Sequence, residues 1–118
     1  MENEGGEDEE IKLEDVTIIL EATLCKVEDS GVLDAKKASD IRKRIGIFKE
    51  KWTNNRLNGK VHQGMLKLAR LLQDGQVEEA EKIQRNLNVE HPNLCTPWMI
   101  AIRQLILAQT EKLNKTNI

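Results

Sequence analysis

Four side chains in this chain could do chemistry by type: Cys25, Cys95, His62 and His91. Their spacing argues against most of it. A structural zinc site needs about four ligands at close spacing. The two cysteines stand 70 positions apart and neither belongs to a CxxC pair, so no metal site is expected. Two free thiols in a reducing compartment fit better than a disulfide. Cys95 lies just before a predicted helix start, where a thiol pKa can fall, but no base is adjacent in sequence to make it a nucleophile. His62 falls on a helical stretch. His91 precedes Pro92, and its side chain is expected to fix that loop by a hydrogen bond. There is no GxSxG, no glycine-rich phosphate loop and no HExxH. No catalytic residues and no cofactor are therefore expected.

Charge is the stronger signal. Residues 1–15 carry eight acids and one base, whereas residues 36–70 carry eleven bases and two acids, a net of +9. Such asymmetry speaks of partners more than of fold. Within the basic stretch, Lys37, Arg44 and Lys51 recur every seven residues on one flank of a predicted helix. Arg42 and Lys49 take the other flank, and Lys36 and Lys43 point away from the apolar stripe. Lys37, Arg42, Lys43, Arg44, Lys49 and Lys51 are thus candidates to bind RNA or an acidic partner. A solvated helix face is the plainer alternative. Sequence-specific RNA recognition also calls for exposed aromatics, and Phe48 and Trp52 lie on the apolar stripe, where they are expected to be core.

The elements carrying these residues read as helices throughout. Charged residues make up 32% of the chain and aromatic residues only 3%, with the apolar content in Leu, Ile, Val and Ala. Straight-chain residues favour helix, and the alternation of a sheet protein is absent. The first helix is predicted over 13–27, with Leu13, Val16, Leu20, Leu24 and Val27 at helical spacing. Ile18 and Ile19 widen that stripe toward a second buried side. A second helix spans 34–52, capped by Asp34, with Ala38, Ile41, Ile45, Phe48 and Trp52 facing inward. A third follows Asn58-Gly59 and runs to about Leu72, with Val61, Met65, Leu68 and Leu72 inward. It contains Gly64, whose cost of about 1 kcal/mol a close helix approach would offset. A short fourth helix covers 77–88 and ends before His91-Pro92-Asn93. The fifth is predicted to start with Thr96 as cap and Pro97 at the first helical position, with Met99, Ile102, Leu105 and Ile106 inward. Trp98 is expected to be structural, packed where this helix joins its neighbours.

The expected architecture is all-α: a compact five-helix bundle over residues 12–114, a disordered acidic tail at 1–11 and a frayed end at 115–118. The opening Met1-Glu2-Asn3-Glu4 offers no secretory signal. No apolar run approaches the roughly 20 residues that span a bilayer, so membrane insertion is not expected.

From the first helix through the fifth, the chain resembles the C-terminal domain of the steroid receptor RNA activator protein family. The resemblance rests on Leu13-Glu14-Asp15-Val16 and on Ile41-Arg42-Lys43-Arg44 leading to Trp52. It continues through Leu57, Val61, Met65, Ala80, Ile83, Arg85, Leu87, Val89 and His91. It closes on the run from Trp98 and Met99 to Ile106, its most specific piece. Trp52, Trp98 and Met99 are the structural positions it highlights. Gln84 departs from the histidine that the family often has there. A related domain closes the COPII outer-coat protein, and this chain is similar to it more weakly. The resemblance implies a five-helix, non-enzymatic domain in transcriptional coregulation. Its implied partners are nuclear receptors or other transcriptional regulators, within ribonucleoprotein complexes, in nucleus and cytoplasm. ER-to-Golgi vesicle transport and direct RNA binding stand as the alternatives.

Overall fold

The computed structural model describes residues 11–116, and its regular elements are five helices: α1 (Leu13–Asp29), α2 (Ala35–Thr53), α3 (Gly59–Gln73), α4 (Val77–Glu90) and α5 (Pro92–Thr116). The acidic residues 1–10 and the last two residues lie outside the described part. Ile11, at the inner edge of the expected tail, is half-buried against the core.

Local chemistry sets the helix ends. Asp34 accepts the backbone N–H of Lys37 at 2.8 Å, and Asn58 accepts that of Val61 at 2.9 Å. Each satisfies a donor that the first helical turn leaves without a partner. The C-termini of α2 and α3 close alike. Asn55, at φ 59°, and Gly75, at φ 81°, turn the chain left-handed. Arg56 N–H then reaches back to Lys51 O at 2.8 Å, and Gln76 N–H to Leu71 O at 2.8 Å. This paired reach-back is the Schellman closure.

Helix α1 packs on α2, α3 and α5; α5 packs on α1, α2 and α4; α3 packs on α4. Ion pairs fix one direction: Arg42 of α2 meets Glu28 of α1, and Lys49 meets Glu21. Rising numbers on α2 meet falling numbers on α1, so the two helices are antiparallel. The predicted stripes supply the core. Val16, Leu20, Leu24 and Val27 of α1 are fully buried, as are Ala38 and Phe48 of α2 and Val61, Met65, Leu68 and Leu72 of α3. The close approach expected at Gly64 is present. A Cβ there would stand 2.8 Å from a methyl of Leu87 on α4.

Three expectations need correcting. The fifth helix begins at Pro92, not at Pro97, which lies inside it. Pro92 takes the first position, where a missing N–H costs nothing, and His91 O receives the N–H groups of Leu94 and Cys95, both at 3.1 Å. Thr96 is accordingly no cap; its hydroxyl donates backward to Pro92 O. Trp98 Nε1 likewise donates to Leu94 O at 3.0 Å, so side chains tie together the turns where Pro97 removes a ladder bond. Second, Ile18 is 65% exposed. Ile19 is half-buried against the core, and Thr17 and Thr23, both buried, widen the apolar stripe at its two edges. Third, the His91 side chain does not fix its loop: Nε2 is buried without a hydrogen-bond partner. The backbone does that work, with His91 N–H donating to Leu87 O at 2.8 Å.

Candidate functional site

Among the described residues no group of three or more His, Cys, Asp or Glu side chains is placed to hold a metal ion. Cys95 is fully buried, and its thiol donates to Leu87 O at 3.8 Å. Burial pushes its pKa up to about 11, the opposite of what a nucleophile requires. His62 stacks on Trp52 with ring centroids 3.8 Å apart and 13° between planes. Its Nε2 has no partner, and burial lowers its pKa. Cys25 is exposed on α1. These four side chains are dispersed and form no common constellation.

Phe48 and both tryptophans form one aromatic layer. Phe48 lies 4.6 Å from Trp98 and 5.7 Å from Trp52, centroid to centroid. Trp98 and Phe48 are fully buried, whereas Trp52 is half-buried at the edge. Met99, just 2% exposed, sits beside Trp98 in the same core. Trp52 was expected in the core and stops at its rim, because α2 ends one residue later and His62 covers only one ring face.

Of the six candidate basic residues, two face the α1 seam, two the α5 side, and Lys43 and Lys51 neither. On the α1 side, Arg42 Nη2 meets Glu28 Oε1 at 2.7 Å and Lys49 Nζ meets Glu21 Oε2 at 2.6 Å. Glu28, and after it Cys25, raise the Arg42 pKa above its ordinary value. On the α5 side, Arg44 Nη1 donates to Pro97 O and Nε to Asp40, each at 3.3 Å. Lys37 lines a recess of about 550 Å³ between the start of α2 and α5, together with Ile41 and Leu107. Lys43 lies on the outward side, beside Gly46 and Glu50, and Lys51 is half-buried near the end of α2. The bases therefore do not form one continuous phosphate-tracking face. The acids of α1 that divide them, Glu21 and Glu28, carry no flag in the sequence, since each lies 14 or more positions from its partner.

A second recess, of about 410 Å³, opens between α2, α4 and α5. Arg44, Arg103, Gln84, Asn88 and Thr96 line it, with Met99 and Ile100. In the sequence, Gln84 stands out only as a departure from the family and Arg103 only as part of the closing run. A polar residue at an inward position of a helix stripe was the signal available.

These features define a helical bundle domain that offers surfaces and recesses and shows no reactive cluster among its described residues. The family model of steroid receptor RNA activator matches residues 2–118. The chain belongs to that family.

Proposed function

We propose that this domain is a non-enzymatic interaction module of transcriptional coregulation, holding nuclear receptors or other transcriptional regulators within ribonucleoprotein complexes in nucleus and cytoplasm. The observation that carries this reading is the family match across residues 2–118. The state of the reactive side chains supports it: the buried thiol of Cys95 has a raised pKa, and His62 is stacked on Trp52. No helix among the described residues is long and apolar enough to cross a membrane.

Affinity capture from nuclear extract tests the proposal. Nuclear receptors or their coregulators should be recovered with the unmodified domain. Recovery of vesicle-coat proteins alone would replace this reading with the transport alternative. Direct RNA binding has less support, because Arg42 and Lys49 are engaged by α1 carboxylates. Filter binding of structured RNA at near-physiological salt discriminates. Affinity abolished by reversing Lys37, Arg44 and Lys51 to glutamate, with helicity intact, would favour RNA over a protein scaffold.

A further inference from the structure

The recess between α2, α4 and α5 holds an arrangement that neither the fold nor the aromatic layer requires. Two guanidinium groups line it, Arg44 from α2 and Arg103 from α5, and no carboxylate does. Arg103 is exposed and has no ion pair or hydrogen bond among the described residues. Arg44 spends two N–H groups, on Asp40 and on Pro97 O. A guanidinium has five, so donors remain. Gln84, on α4, lines the same recess. It is only 5% exposed, yet its amide makes no hydrogen bond among the described residues. Its amide atoms are not sealed from solvent, unlike the buried Oε1 of Gln109. Here the amide borders a recess that a ligand acceptor could enter. Ile100, 49% exposed, supplies an apolar edge to the same recess.

We propose that this recess is a docking site for an acidic segment of a protein partner. A glutamate or aspartate carboxylate enters between Arg44 and Arg103, and the Gln84 amide donates to it. An apolar side chain next to that acid in the partner covers Ile100. The inference deepens the interaction-module reading above and rests on it. Charge complementarity selects the occupant: two arginines, of which Arg44 is partly offset by Asp40 and Arg103 has no ion pair, together with an accessible amide favour an anion, and arginine forks match carboxylate geometry. The exposed isoleucine distinguishes a peptide from a nucleic acid. Base recognition needs an aromatic platform, and the nearby rings, Trp98 and Phe48, are fully buried.

The test is fluorescence anisotropy with a labelled peptide of alternating glutamate and leucine, against a control with glutamine for glutamate, at near-physiological salt. Saturable binding is expected for the acidic peptide only. Arg103→Glu, an exposed substitution that leaves the core intact, should weaken it by about tenfold or more. Gln84→Leu should weaken it less, and Lys26→Glu on α1 should leave it unchanged. The side-chain amide resonances of Gln84 should move on titration. Absence of saturable binding, equal affinity for the glutamine peptide, or an Arg103→Glu affinity equal to the unmodified chain would each overturn the proposal. Displacement of the peptide by oligouridine would overturn it too, marking a phosphate site. If Arg103→Glu still captures the same nuclear partners, the recess is wrong while the interaction-module reading survives.

Discussion

Helix α2 carries bases on both flanks, and the two flanks meet different fates. Toward α1, Arg42 and Lys49 each find a glutamate across an antiparallel seam, and the charges close on themselves. Toward α5, Arg44 finds a backbone carbonyl and one aspartate of its own helix, while Arg103 opposite brings more positive charge. One seam is neutralised internally and the other keeps a surplus. Residue type alone therefore does not tell whether a basic helix is a binding face. What the neighbouring helix offers decides it.

Beneath the charges the α2–α5 seam is apolar, and the largest expected effect lies there. Trp98→Ala would remove a fully buried ring in contact with Phe48. Such a truncation costs about 3–5 kcal/mol of a total that is typically about 5–15 kcal/mol. Thermal melting should show a marginal or unfolded domain. A melting temperature equal to the unmodified chain, with partner binding lost, would make Trp98 a contact residue instead.

The α3–α4 seam gives a contrast without charge. Gly64→Val would push branched carbons into Leu87, where even a Cβ is 2.8 Å away. Overpacking of this kind costs about 1–3 kcal/mol, measurable by urea unfolding. Unchanged stability would mean that Leu87 can repack freely.

Next comes acidification. Burial lowers the His62 pKa, so the folded state favours the neutral ring. Its contribution to stability is fully present above the unfolded value of about 6.5 and is lost as pH falls through the lower folded pKa. Melting temperature should decline on that descent, and less so in His62→Phe, which keeps a ring against Trp52. An equal decline in both proteins would place the effect elsewhere.

The smallest effect should come from the α1–α2 ion pairs. Glu21→Gln with Glu28→Gln should barely move the melting temperature, because exposed pairs contribute little. It would, however, free Arg42 and Lys49. If the double variant gains affinity for acidic peptides, the contrast between the two seams is a matter of pairing alone.

Periodicity made most of the inward faces legible: the stripes of α1, α2 and α3 match the core except at their ends, where Leu13 and Trp52 are half-buried, and at Ile18, which is exposed. The cap at Asp34 was legible too, because its chemistry is local. The start of α5 was misplaced because two prolines each fit a first helical position, and only the hydrogen bonds from Leu94 and Cys95 to His91 O show which one takes it. The candidate site was half legible. Lys37, Arg42, Lys43, Arg44, Lys49 and Lys51 were visible as a basic run. Their separation by α1 acids, and the meeting of Arg44 with Gln84 and Arg103, depend on contacts far apart in sequence, which no periodicity encodes.

The reach of α5 has a consequence for how the domain is made. This last helix packs against α1, α2 and α4 and brings Trp98, Ile102 and Leu105, all fully buried. A ribosome delivers it after the other four helices have emerged. Until then Phe48 and the apolar stripe of α2 lack their main cover. The nascent domain is thus sticky for the time taken to synthesise its final quarter, and a chaperone that shields aliphatic and aromatic surface would act in that interval.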